Sequence, residues 1–211
     1  MLRTSQEETW FGKFGKEYTD RNNLDIDQLN ELYVKNYGVT REQMNIDFVA
    51  HFNKGSKILE VGTNSGNQLL LLQKMGFTNL YGIEINEYAV ELARKRLSGI
   101  NIIQGSAFDI PFKDNFFDVV FTSGVLIHIS TSDREKIIEE MYRCSNRYIW
   151  GFEYYSQTTE EIKYRGESNL LWKSDFAHSF IRKYQNLKLV KEERYKYLDS
   201  DNYDSMYLLT K

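Results

Sequence analysis

The sequence predicts an α/β fold: a mostly parallel sheet with helices on both faces and an antiparallel hairpin at its end. Three observations carry this. After residue 54, short apolar runs alternate with helical stretches of about 10 to 15 residues, the rhythm of a parallel sheet. The first apolar run passes through a glycine turn straight into a helix, ILEVGTNSGNQLLLL. The last two extended runs, LKLVKEERYKY and YDSMYLLTK, are separated only by the polar turn LDSDN, which suits a hairpin.

The 211 residues fit one domain with a small elaboration, and 41% of them are hydrophobic. The 15 Tyr and 13 Phe favour a folded core over disorder. The formal net charge is -3 and no basic tail or stripe stands out. That argues against nucleic acid, whose phosphates need concentrated Lys and Arg. Cys144 is the single cysteine, so no intrachain disulfide and no thiolate metal cluster is expected. Its setting, EEMYRCSNRYI, reads as a buried thiol where a helix runs into a strand. The three histidines are well separated, and no metal is expected. No apolar run approaches the ~18 residues of a membrane span, and MLRTSQEETWF lacks the apolar core of a signal peptide. The expectation is a cytoplasmic enzyme without membrane contact, monomer or homodimer.

Residues 25–52 carry helical spacing. Leu29, Leu32 and Tyr33 share one face, and Met44, Phe48 and Phe52 another. Thr40, followed by Glu42 and Gln43, marks a helix start near residues 40–43, because its hydroxyl caps open amides. KILEV is then the first strand, GNQLLLLQKMG a helix ended by Gly76, and NLYGIEI the second strand. EYAVELARKRL is a helix, NIIQG the third strand and FFDVVFTSG the fourth. SDREKIIEEMYRCS is a helix that leads into the strand RYIWGFEY, and SDFAHSFIRKY is the last helix before the hairpin. The change of rhythm near residue 54 is the one soft boundary.

The turn after KILEV reads G-T-N-S-G-N. Gly62 lets the chain turn tightly, and Gly66 opens the helix where a side chain would obstruct a close ligand. A dinucleotide fingerprint places glycines first, third and sixth so that a pyrophosphate can approach. Here the third residue is Asn64 and the fifth is glycine, which favours a smaller, less anionic ligand. Glu84 ends the second strand, where an acidic side chain accepts both hydroxyls of a ribose and disfavours a 2'-phosphate. Ile85 follows, placed to pack on an adenine.

The pieces E-V-G-T-N-S-G, Glu84, G-S-A-F-D-I-P-F at 105–112, F-D-V-V at 117–120 and G-V-L-I-H-I at 124–129 resemble the class I S-adenosylmethionine-dependent methyltransferases. The resemblance implies a Rossmann-like three-layer sandwich around a seven-stranded sheet. It also implies S-adenosyl-L-methionine as cofactor and S-adenosyl-L-homocysteine as product. More narrowly, E-E-T-W-F-G-K-F-G-K-E-Y, Y-R-C-S-N-R-Y-I, E-Y-Y, Y-R-G and L-W-K-S-D-F-A resemble the pseudaminic acid biosynthesis-associated methylases. That likeness implies a small acceptor related to nonulosonic acid sugars, with an anionic sugar as the candidate partner. Residues 1–53 then read as an N-terminal helical cap. Residues 54–211 read as the cofactor-binding domain, with a polar lid over 153–173.

By position, the resemblance assigns Gly62, Asn64 and Gly66 to the turn around the methionine part of the cofactor and Glu84 to the ribose, with Glu60 also among the cofactor-binding residues. Ile85, Ser106, Ala107 and Phe108 fall to the adenine, and Ser123 to the end of the fourth strand. The class often carries an acidic residue where Ser106 stands; its hydroxyl, a backbone carbonyl or Asp109 are the substitutes. An alcohol acceptor needs a proton sink, and the candidates after the fourth and fifth strands are His128 and Glu153, with Tyr154 beside them. His51 and His178 read as structural. In WFGKFGKEYTDRN, glycines between aromatics suggest a bend in a segment that closes over the cofactor. There Tyr18 and Arg21 share a face, and Arg21 is the candidate partner of a carboxylate. Phe14, Tyr155, Tyr164, Arg165, Trp172 and Lys173 are the acceptor-side candidates. The two basic ones either meet an anionic sugar or pair with Glu160, Glu161 and Glu167. Other acceptors, intramolecular chemistry of the cofactor and a non-catalytic regulator are the alternatives. Asn64 speaks against a nicotinamide oxidoreductase.

Overall fold

The computed structural model describes residues 3–211. Met1 and Leu2, the first two residues of the expected cap, lie outside them. Four helices come first: α1 (Ser5–Phe11), α2 (Lys13–Asn22), α3 (Ile26–Tyr37) and α4 (Arg41–Val49). The core then alternates β1 (Lys57–Val61), α5 (Asn67–Lys74), β2 (Asn79–Glu84), α6 (Glu87–Arg96), β3 (Asn101–Gln104), β4 (Phe117–Ser123), α7 (Arg134–Cys144) and β5 (Ser145–Tyr155). A short 3-10 turn at Leu126–His128 follows β4. The chain ends with β6 (Glu160–Glu161), β7 (Trp172–Lys173), α8 (Phe176–Lys183), β8 (Lys188–Lys196) and β9 (Tyr203–Thr210).

Seven strands form one sheet in the order β3-β2-β1-β4-β5-β9-β8. The first five run parallel; β9 pairs antiparallel with both β5 and β8. The sheet is thus the Rossmann-like, mostly parallel sheet with the antiparallel hairpin expected from the sequence. Adjacent residues of β1 point to opposite faces. Ile58 joins a core with Leu69, Phe121 and Trp150, whereas Leu59 joins one with Val120, Ile138 and Met141. Both faces are therefore buried, as a parallel sheet requires. Met44, Phe48, Val49 and Phe52 belong to the first of these cores, so packing runs continuously across residue 54.

The helix ends follow local chemistry. Thr4 and Glu7 close a capping box on α1, Asp25 and Gln28 one on α3, and Thr40 caps α4 by accepting from the Gln43 amide. Gly12 separates α1 from α2, which puts the expected bend there. Within 153–173, where no strand is legible in the sequence, β6 and β7 pair antiparallel through Glu160↔Lys173 and Glu161↔Trp172. Two-residue strands are too short to show a period.

Candidate functional site

A cavity of about 240 Å³ opens at the carboxyl ends of β1, β2 and β4, beneath α1 and α2. This is where the strand order reverses, the place ligands occupy in open α/β sheets. Of the residues singled out in the sequence, Tyr18, Glu60, Gly62, Asn64, Glu84, Ile85, Ser106, Ala107, Phe108, Ser123 and His128 line it.

The turn after β1 is complete in itself. The amides of Gly62 and Thr63 both donate to the Ile83 carbonyl, at 2.8 and 3.1 Å, and the Gly66 amide donates to Thr63. The Asn64 amide donates to Glu84 Oε2 at 2.9 Å, and the Ser65 amide to Asn64 Oδ1 at 2.6 Å. Every amide from Gly62 to Gly66 is therefore used within the protein, leaving none to cradle a pyrophosphate. Asn64 sits at φ 49, a left-handed conformation that asparagine tolerates better than most residues. Gly62 sits at φ +74, and a Cβ on it would stand 2.6 Å from Val125 Cγ2.

Glu84 also accepts from the Asn86 amide at 2.8 Å, so two backbone donors fix its carboxylate. Burial raises its pKa while those amides oppose the shift. Glu60, 3% exposed, accepts from the Thr63 hydroxyl at 2.7 Å, and burial pushes its pKa up to about 8. With Glu7, the cavity has three carboxylates, and no Lys or Arg is among its described lining residues.

The N-terminal helices are fastened over this cavity. Gly15, Tyr18, Thr19 and Asn22 line it, one stripe of α2 at helical spacing. The Asn86 side-chain amide donates to the carbonyls of Trp10 and Phe11 at 2.9 and 3.1 Å. Asn67 donates to the Asn22 carbonyl at 2.7 Å, Arg96 to the Leu24 carbonyl, and Tyr88 to Asp20 at 2.7 Å. The Ser106 hydroxyl donates to Glu7.

His128 is the one expected proton acceptor in the cavity wall. Its Nδ1 lies 2.7 Å from the Leu170 carbonyl, an acceptor only, so in the neutral ring Nδ1 carries the proton and Nε2 the lone pair. Burial lowers its pKa to about 4, which keeps the ring neutral at pH 7. Rings pack around it: Trp10 at 4.5 Å, Tyr164 at 5.5 Å and Tyr18 at 6.5 Å between centroids, with Phe14 against Trp10. The Trp10 Nε1 donor is buried without a hydrogen-bond partner.

Glu153 is placed differently from its expected role. It is 1% exposed, stands outside the cavity wall, and accepts from the Val125 and Ile127 amides, both at 3.2 Å. It braces the loop that carries His128. Burial raises its pKa to about 7. Tyr154 is also outside the wall, with Lys173 over its ring at 4.7 Å.

The cavity wall does not include the other expected residues either. Arg21 is exposed, because the inward stripe of α2 runs through Tyr18 to Asn22 and passes it by. Gly66 lies just behind the wall, where a Cβ would stand 2.3 Å from Leu97 Cδ1. Phe14 and Tyr164 form a second layer of rings. Tyr155 lies under Arg194, Trp172 is buried in β7, and Lys173 donates to Asn202 at 2.6 Å. Arg165 occupies an exposed turn at φ 51.

Glu7, Asn86, Tyr33 and Gln68, not singled out as site residues in the sequence, also line the wall, as do Trp10 and Asn22 of the segment expected to close over the cofactor. Behind Tyr33, fully buried Arg41 donates to its hydroxyl at 2.9 Å and to Asn45 at 2.9 Å. The Thr4-x-x-Glu7 box and the asparagine before α6 are legible as helix caps, but nothing local ties them to a ligand. Among the described residues no group of His, Cys, Asp and Glu could hold a metal ion, and no helix is long and apolar enough to cross a membrane.

The donor set fits S-adenosylmethionine: carboxylates and ring faces for a cation, a fixed acid at the strand end for a ribose, and no cradle for a pyrophosphate. Residues 59–147 match the methyltransferase domain family. The chain is 29% identical over 94 residues to a phosphoethanolamine N-methyltransferase of Plasmodium falciparum, covering 43% of this chain and 35% of that protein. It is 31% identical over 112 residues to a demethylmenaquinone methyltransferase of Symbiobacterium thermophilum, covering 48% of this chain and 44% of that protein. The chain thus spans less than half the length of these curated relatives. In fold it is similar to a SAM-dependent methyltransferase from Leishmania major, with a TM-score of 0.70, 19% identity and coverage of 99% and 87% of the two chains. It is also similar to the [4+2]-cyclase SpnF, with a TM-score of 0.65, 13% identity and coverage of 89% and 96%. The fold and the matched residues 59–147 are those of a class I methyltransferase domain, a kind that takes S-adenosylmethionine as its methyl donor.

Proposed function

We propose that this protein transfers a methyl group from S-adenosylmethionine to an oxygen or nitrogen of a small-molecule acceptor. The observation that carries this is the cavity itself. Its turn amides are spent internally, its charged lining residues are carboxylates, and a neutral histidine with a free Nε2 stands in its wall. Glu84 would hold the ribose, the slot of Ile85, Ala107 and Phe108 the adenine, and the side of Glu60, Asn64 and Gln68 the methionine part. When bound, the cofactor supplies a methyl group activated by its sulfonium. The protein aligns the acceptor, excludes water beneath Trp10 and Tyr18, and receives the acceptor's proton at His128 Nε2 where that acceptor is an alcohol.

Enclosure by the N-terminal helices and a ring cluster favours a compact acceptor over a polymer. The narrower reading, a nonulosonic acid sugar, rests on the sequence resemblance of the segments outside the cofactor motifs. In that reading the 153–173 segment is the lid, and of the two expected basic groups Arg165 is the one left to meet an acceptor carboxylate, since Lys173 is bound to Asn202. A second reading is chemistry without an external acceptor, as one structural neighbour is described as a cyclase. The test is incubation with methyl-labelled cofactor and a panel of sugar, amine and carboxylate metabolites, followed by product mass. Label on a small acceptor supports transfer, label only on a non-sugar removes the sugar reading, and a product without the label removes transfer.

A further inference from the structure

We infer that Glu7, on the N-terminal helix, is the residue that takes the adenine amino group, so that the covering segment and not the sheet selects adenine. The inference rests on the S-adenosylmethionine reading of the cavity. The position after β3, where an acid would stand, holds Ser106. Its hydroxyl proton goes to Glu7 and its oxygen already accepts the Phe108 amide at 3.0 Å. Ser106 is therefore occupied by the protein and serves as a tether. The carboxylate it tethers lines the same end of the cavity as Ile85, Ala107 and Phe108, the apolar slot suited to a purine.

Glu7 is held from its other side as well. Its Oε2 accepts the Thr4 amide at 2.8 Å within the capping box of α1. One oxygen thus fixes the helix start and the other is aimed by Ser106, and each keeps a second lone pair. An adenine amino group donates to such a carboxylate, whereas the 6-oxo group of a hypoxanthine presents oxygen to oxygen and is repelled. Asp109, the rival acid, is exposed and lines only the adjoining pocket, which it shares with Glu7, Ile85, Ser106 and Phe108. Adenine recognition and closure of the N-terminal helices become one event.

The test measures binding of S-adenosylhomocysteine and its 6-oxo analogue, S-inosylhomocysteine, by calorimetry to the full chain. Wild type should prefer the adenosyl ligand by about tenfold or more, the worth of one hydrogen bond to a charged group. Glu7→Gln keeps a side chain that suits the capping box and should lose most of that preference. Adding Ser106→Asp to Glu7→Gln should restore it by returning the acid to the strand end. An unchanged preference in Glu7→Gln, or its loss in Asp109→Asn instead, overturns the assignment to Glu7. Failure of wild type to bind the adenosyl ligand overturns the cofactor reading beneath it.

Discussion

Gly15 lies so close to Asn86 that a methyl group on it would stand 2.8 Å from the Asn86 side-chain nitrogen and 1.8 Å from the Trp10 carbonyl oxygen. That nitrogen is the one that fastens the α1–α2 junction. Gly15→Ala should lift the cover at a cost of about 1–3 kcal/mol, the usual range for overpacking. We expect S-adenosylhomocysteine affinity to fall about tenfold, and residues 4–24 to become open to limited proteolysis. Unchanged affinity and protection would separate the cover from binding.

His128→Gln should cut transfer to an alcohol acceptor by about 10²-fold or more while cofactor binding stays within about threefold. His128 is neutral above about pH 4, so kcat in wild type, measured with cofactor saturating, should carry no limb near 6.5 from this group. An acid limb at 6.5 would assign the proton transfer to another group.

Glu153→Gln leaves one carbonyl oxygen for the two amides that Glu153 now accepts. Denaturant titration should show a loss of about 1–3 kcal/mol, the cost of a buried donor without a partner. Because Glu153 acts through the loop that carries His128, kcat should fall with the pH profile unmoved. A shifted profile would make it the titrating base after all.

Glu60 sets a pH dependence of the ligand-free protein. Its folded pKa of about 8 lies above its ordinary 4.5, so between these values the folded state keeps a proton that the unfolded chain has released. Stability from this group is therefore lost as pH rises through that window, by up to about 1.4 kcal/mol per pH unit. Glu60→Gln should match wild type near pH 4.5 and be the more stable of the two above pH 8. Equal slopes in both proteins would place the titration elsewhere.

The sequence made legible what neighbouring residues decide. The glycine turn, Glu84 at its strand end, the Thr40 cap and the terminal hairpin depend on short-range geometry and period. Side-chain direction at long range was not legible. Glu153 sits at the strand end where a base was expected, but its partners are the amides of Val125 and Ile127 on another loop. Arg21 and Asn22 are adjacent in sequence, and only helix phase decides that Asn22 reaches the cavity. Glu7 reads as a helix cap; its meeting with Ser106 spans 99 residues and leaves no local trace.

The carboxylates of Glu7, Glu60 and Glu84 share a cavity with no basic side chain among its described lining residues. Such a cavity weighs its contents by charge. A cation that enters draws the proton affinity of Glu60 down, so arrival expels a proton and departure takes one back. Affinity for the cation then climbs with pH across the range where Glu60 titrates. A ligand without that positive charge loses this attraction to the three carboxylates.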